Sequence, residues 1–144
     1  MFEIGIADEF EAAHALKGDF GLATRLHGHT YRVEVRAEAR KVNEAGTFYD
    51  IGRLRADLRA VLDLMHYSNL NELPALAGIN TTAEMIAQHI FNQLAEGLRV
   101  SRLASLKVTV WESPSAFASY RETFKKQKRG KGKKGKGEEG ENVG

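Results

Sequence analysis

Apolar and polar residues alternate near both ends of this chain and recur at three- and four-residue spacing through its middle. Phe2, Ile4 and Ile6 alternate with other positions, and Tyr31-Arg32-Val33-Glu34-Val35 does the same. A period of two is that of a strand with one buried face. Between these strands, Ala15 to Leu26 reads as an irregular loop, with Lys17-Gly18-Asp19 and Gly21 suited to turns. After a turn at Asn43 to Gly46, Asp50 is placed to cap a helix whose apolar positions are Ile51, Leu54, Leu58, Val61, Leu62 and Met65. His66 to Pro74 breaks that periodicity and is expected to be a connector. Thr81-Thr82-Ala83-Glu84 has capping-box spacing and leads into Met85, Ile86, Ile90, Phe91 and Leu94, a second helix. Leu106 to Glu112 alternates as a strand, and Phe117 to Phe124, beyond a Ser113-Pro114-Ser115 turn, is a fourth. The predicted order is strand, strand, helix, helix, strand, strand.

A length of 144 residues suits one domain with a real core. There is no cysteine, which excludes disulfides and thiolate ligands. No apolar run approaches the roughly 18 residues of a membrane span, and no basic-then-apolar leader opens the chain. A cytoplasmic protein without membrane partners is the expectation. The net charge of +2 averages two regions. From Lys125 onward, eight basic and three acidic residues give +5; the remainder, with thirteen basic and sixteen acidic, carries −3. The expected division is therefore a folded unit over 1–124 and a basic, disordered tail over 125–144, which lacks large apolar residues. Nucleic acid is not expected as a partner: its only support is this tail, where no aromatic is interleaved for base stacking.

The candidate chemistry is three histidines. His27-Gly28-His29 opens the second strand, where residues two apart share a face, so both imidazoles can address one ion. His14 closes Phe10-Glu11-Ala12-Ala13-His14 and joins them if the first two strands pair as an antiparallel hairpin. Three imidazoles with an open fourth position suit catalytic zinc. A His-x-His pair on a strand also fits an exposed, hydrogen-bonded role, and the residues alone leave both readings open.

The chain resembles the 6-pyruvoyl-tetrahydropterin synthase and 6-carboxy-tetrahydropterin synthase family. The resemblance spans Phe2 to about Tyr120 and rests on Phe10-Glu11-Ala12-Ala13-His14, Leu26-His27-Gly28-His29, Tyr49-Asp50 before a helix, Leu70-Asn71-Glu72, Asn80-Thr81-Thr82-Ala83-Glu84 and Val110-Trp111-Glu112. It implies an α+β tunnelling fold, with a four-stranded antiparallel sheet carrying two helices on one face. Subunits of such a fold join into stacked barrels, here a homo-oligomer expected to be a hexamer. It implies a lyase that uses zinc, held by His14, His27 and His29, and acts on a pterin, 7,8-dihydroneopterin triphosphate, in the setting of tetrahydropterin or queuosine biosynthesis. Glu112 falls on the glutamate that anchors the pterin ring, and Thr82 on a threonine that contacts ligand or caps the helix.

Two departures matter. The family's catalytic cysteine position is occupied by Ala23, whose methyl cannot take a proton. The family's Asp-His pair falls on Asp63-Leu64-Met65-His66-Tyr67, where His66 matches the histidine with a one-residue insertion and Tyr67 matches without one. His66 is taken as the proton-handling residue because an imidazole titrates near neutrality. Met65 then replaces the orienting aspartate, with Asp63 as a possible substitute. Some relatives without the cysteine cleave the dihydroneopterin side chain as aldolases, releasing a 6-hydroxymethyl pterin for folate synthesis, and Asp19 or Thr24, in the loop before the histidine pair, would serve as base or positioner. A pterin- or zinc-binding paralogue without turnover is the remaining alternative.

Because the tail offers no apolar surface to pack, deleting 125–144 is expected to leave assembly and metal content unchanged. Light scattering and metal analysis on the truncated chain check this, and disassembly contradicts it.

Overall fold

Both alternating regions become long strands because each has one apolar and one charged face, and together they pair as one hairpin. The computed structural model describes residues 1–98 and 102–125. Strand β1 (Phe2–His14) pairs antiparallel with β2 (His27–Ala39) along its whole length, from Phe2 opposite Ala39 to His14 opposite His27. Strand β4 (Ser105–Ser113) joins the other side of β2, and β5 (Ala116–Thr123) joins β4. The four antiparallel strands are those expected. A two-residue strand, β3 (Ser68–Asn69), adds a fifth, parallel to Ala12–Ala13, and gives the sheet order β3-β1-β2-β4-β5. Two residues carry no visible period, so the sequence presented this segment as a connector. It is anchored by the Tyr67 backbone N–H, which donates to the Glu11 carbonyl at 2.6 Å.

Helices α1 (Ile51–Asp63) and α2 (Ala83–Leu98) cover one face of the sheet. Ile6 and Phe10 of β1, Tyr31, Val33 and Val35 of β2, and Leu106, Val108 and Val110 of β4 form one buried cluster with Leu54, Leu58 and Leu62 of α1 and Ile86, Ile90 and Phe91 of α2. The opposite face carries Glu3, Arg32, Glu34 and Arg36, joined as ion pairs. These are largely exposed and contribute little to stability. Burial of the first face therefore fixes both helix position and strand register.

The helix starts differ in one respect from expectation. Asp50 caps α1 as predicted, accepting from the Gly52 N–H at 2.8 Å. At α2 the capping hydroxyl belongs to Thr82, one of the two roles expected of it, which accepts from the Met85 N–H at 3.3 Å, one residue later than the Thr81–Glu84 capping-box spacing places the cap. Thr81 is buried, and its hydroxyl lies 3.2 Å from His14 Nδ1. A side chain engaged with the histidines is not available to the helix. The basic tail expected over 125–144 lies outside the described residues except for Lys125.

Candidate metal centre

The hairpin register decides where the histidines meet. His14 stands opposite His27 and Ala12 opposite His29, so alternation puts all three imidazoles on the helix-covered face at one end of the sheet. Their ring centroids lie 4.6, 5.1 and 4.8 Å apart, and one ligand atom from each falls within 4.8 Å of the others. The expectation that the first two strands bring His14 to the His27–His29 pair is met.

Each ring is oriented by the main chain. Nδ1 of His14 meets the Thr81 carbonyl at 2.8 Å, Nδ1 of His27 the Arg25 carbonyl at 2.7 Å, and Nδ1 of His29 the Glu112 carbonyl at 3.2 Å. A carbonyl only accepts, so each Nδ1 carries a proton, and in the neutral ring that leaves the lone pair on Nε2, the tautomer a metal requires. Nε2 of His14 is buried and has no hydrogen-bond partner. An orphaned buried nitrogen facing two more imidazoles fits a divalent ion of the kind that nitrogen ligands hold. Burial lowers the His14 pKa below its ordinary 6.5. The Thr81 carbonyl opposes that shift, the neighbouring imidazoles reinforce it, and Glu112 pulls weakly the other way. The ring is neutral, and so able to ligate, at neutral pH.

Glu112 enters from β4 at an irregularity. Trp111 pairs with Phe117 and Ser113 with Ala116, which leaves Glu112 as the extra residue of a bulge. Bulges re-aim side chains and are frequent beside functional sites. The Glu112 carbonyl holds His29, while its carboxylate acts through charge on both His14 and Tyr31. The structure thus brings His14, His27, His29 and Glu112 together. Thr82 lies at the start of α2, next to the residue that orients His14.

His66 occupies a different place. Its Nδ1 accepts from the Glu11 backbone N–H at 3.1 Å on the outer edge of β1, and its ring packs on Tyr67 at 4.2 Å. Tyr67, not His66, lines a cavity of about 550 Å³ with His29, Glu11, Gly28, Thr30 and Asn69. Its φ of 55° makes it the one non-glycine residue with positive φ among the described residues. Its phenol shares a hydrogen bond with Glu11, which raises its pKa. Asp63 pairs with Arg59 at 2.7 Å and Met65 is buried in the core, so neither orients His66.

Two further residues were not visible as site components in the sequence. Asn71 exchanges two hydrogen bonds with the backbone of Ala15 at 2.8 and 3.1 Å, and Asn80 exchanges two with that of Lys17 at 2.9 Å each. Side-chain amides here play the part of a neighbouring strand and splint the loop that leaves His14. Ala23 lies in the same loop, on a one-turn helix at Gly21–Thr24, and its carbonyl accepts from the Leu16 N–H at 2.9 Å. These contacts span 56 and 63 residues, beyond any local pattern, although both asparagines sit in the motifs Leu70-Asn71-Glu72 and Asn80-Thr81-Thr82.

Residues 3–123 match the family model of 6-pyruvoyl tetrahydropterin synthase. The chain is 31% identical over 151 residues to a 6-carboxy-5,6,7,8-tetrahydropterin synthase of Haemophilus influenzae, with 85% of this chain and all of that protein covered. It is 30% identical over 124 residues to the 6-pyruvoyl tetrahydrobiopterin synthase of Dictyostelium discoideum, covering 78% and 90% of the two chains. Its fold superposes on a solved structure of Caenorhabditis elegans 6-pyruvoyl tetrahydropterin synthase with a TM-score of 0.72 at 26% identity, over 85% of this chain and 96% of that one.

About one divalent ion per chain is expected. His27→Ala and His29→Ala should each release it to a moderate chelator, and full retention in both variants contradicts the ligand set. The sign with pH is fixed by His14. Its folded-state pKa lies below 6.5, so the unfolded chain takes up the proton first, and the stability contributed by the neutral ring is present above 6.5 and lost as the pH falls below it. Metal retention followed from pH 7.5 to 5 should fall in the same direction.

Proposed function

The chain belongs to the 6-pyruvoyl tetrahydropterin synthase family, and from that premise we propose that it is a zinc-dependent lyase of the 6-pyruvoyl or 6-carboxy tetrahydropterin synthase type, acting on 7,8-dihydroneopterin triphosphate. The observation that carries this is the convergence of three imidazoles, each with its Nδ1 fixed by a carbonyl, beside the bulged Glu112. His14, His27 and His29 would hold the zinc, which supplies a Lewis acid able to stabilise alkoxide or enediolate charge on the substrate side chain. Glu112 binds the pterin ring: a carboxylate accepts two parallel hydrogen bonds from a ring amino group and the adjacent N–H. Thr82 adds a hydroxyl near the same end of α2 while continuing to cap it. His66 or its neighbour Tyr67 handles protons; Tyr67 has the support of lining a cavity with His29.

A second reading is favoured by Ala23. A methyl cannot serve as a base, and a chain lacking that base is suited to the retro-aldol cleavage that releases a 6-hydroxymethyl pterin. The Thr24 hydroxyl donates to the Gly21 carbonyl at 2.7 Å, which leaves Asp19, exposed in the same loop, as the freer candidate for that chemistry.

The proposed setting is a cytoplasmic homo-oligomer, a hexamer. Among the described residues no helix is long and apolar enough to cross a membrane. Beyond Ala12–Ala13 the outer edge of β1 has no strand beside it among the described residues, and neither has β5, so further copies of the chain can complete the sheet at both edges. Leu22 and Leu26, exposed in the loop that leads into His27, suit burial against such a copy.

Incubating the zinc-loaded protein with dihydroneopterin triphosphate and its dephosphorylated forms, and identifying products by mass, distinguishes the readings. Triphosphate elimination supports the synthase, a 6-hydroxymethyl product supports the aldolase, and binding without turnover leaves a non-catalytic pterin-binding paralogue. Glu112→Gln is expected to keep the fold and weaken neopterin binding by about 2–4 kcal/mol, the scale for losing a charge-assisted pair in a buried site; calorimetry reads it, and unchanged affinity contradicts the anchoring role. Ala23→Cys is expected to create or raise triphosphate elimination if only the thiol base is missing. No gain, with side-chain cleavage by the unmodified protein, shifts the assignment to the aldolase.

A further inference from the structure

One polar atom beside the three histidines is neither a metal ligand nor bonded to any protein group. The Tyr31 ring is wholly buried, stacked on Phe10 at 4.8 Å with 15° between the planes, tilted against His29 at 5.1 Å and set edge-on to His14 at 6.0 Å. Its hydroxyl makes no hydrogen bond. The oxygen lies on the ring axis, so a ring flip does not move it, and the Phe10 stack opposes the larger swing that would. An unpaired buried hydroxyl is destabilising, and phenylalanine would fill the same space without that cost.

Two buried polar atoms of this centre therefore lack protein partners, His14 Nε2 and the Tyr31 hydroxyl. A metal satisfies the first. Three imidazoles would leave such a metal a fourth position, open to an oxygen ligand. A phenol carries one O–H, so the Tyr31 oxygen can donate a hydrogen bond to an oxygen placed beside it. No hydrogen bond joins it to Glu112 or to any other protein group.

We propose that the Tyr31 hydroxyl is a ligand-binding group of the histidine centre, donating to the oxygen ligand in the metal's open position. On the pterin reading, on which only the ligand's identity rests, that oxygen is a side-chain hydroxyl of the substrate. Ligand entry then pairs the last orphaned atom of the centre, so binding is favoured by a group that the empty fold leaves unsatisfied.

Tyr31→Phe in the full-length chain tests this. Its melting temperature and zinc content should equal or exceed those of the wild type, since no hydrogen bond of the fold is lost. In the cobalt-loaded proteins, acetohydroxamate, an oxygen ligand followed by visible absorption, should bind about tenfold more weakly to the variant, the scale of one lost hydrogen bond. Neopterin affinity, read by calorimetry on the zinc forms, should fall by a similar factor. Equal hydroxamate affinity in the two proteins, no hydroxamate binding to the wild type, or a variant that loses stability or metal each overturns the proposal. A wild type that binds hydroxamate but no neopterin counts against the pterin reading alone, and the hydroxamate ratio still decides the role of Tyr31.

Discussion

The centre depends on the pairing register of β1 with β2. Thirteen rungs run from Phe2 opposite Ala39 to His14 opposite His27, and the last three set the geometry of the histidines. A slip of one residue would turn one strand's inward set outward and separate His14 from its partners. What prevents that slip lies further down the hairpin, where Ile6, Phe10, Tyr31, Val33 and Val35 are buried under two helices while Glu34 and Arg36 stay on the open face. Apolar burial at about 25 cal/mol per Å² acts over the whole hairpin, so the precision of the site is supplied by residues that never touch it.

The remaining elements reach the centre through carbonyl oxygens. Thr81, just before α2, orients His14; Arg25, just before β2, orients His27; Glu112, on the β4 bulge, orients His29. Main-chain acceptors place each ring without demanding particular side chains at those positions, and they fix a single tautomer for all three. One consequence falls on Glu112, whose main chain positions a histidine while its carboxylate remains available for a ligand. A regular strand would have continued the ladder there; the bulge frees that residue from it.

Much of this was legible in the sequence because it follows a period. The long strands, both helices and the shared face of His27 and His29 come from spacings of two and of three to four, and Asp50 announces its helix. The two-residue β3 is too short to show a period, and it forms because Tyr67 reaches the Glu11 carbonyl across the chain. The α2 cap moved from Thr81 to Thr82 because the first threonine is drawn to His14, a contact between residues 67 positions apart. His66 and Tyr67 could not be told apart by spacing, since their difference lies in a backbone turn: His66 folds back on the Glu11 N–H, and Tyr67, at positive φ, projects into the cavity. Tyr31 looked like an ordinary strand residue, and only the lack of a partner for its hydroxyl sets it apart.

The loop from Ala15 to Leu26 is held largely through its main chain. Asn71 and Asn80 grip its first residues through four hydrogen bonds to Ala15 and Lys17, and the Leu16 N–H closes it onto the Ala23 carbonyl. Every one of these bonds ends on the loop's main chain, so none depends on what side chain position 23 carries. The same loop leads out of His14 and into His27, so these splints help to hold both ends of the three-histidine cluster. The backbone at Ala23 is therefore set by main-chain contacts, with Leu16 and Phe20, and a different side chain at that position requires no change of scaffold.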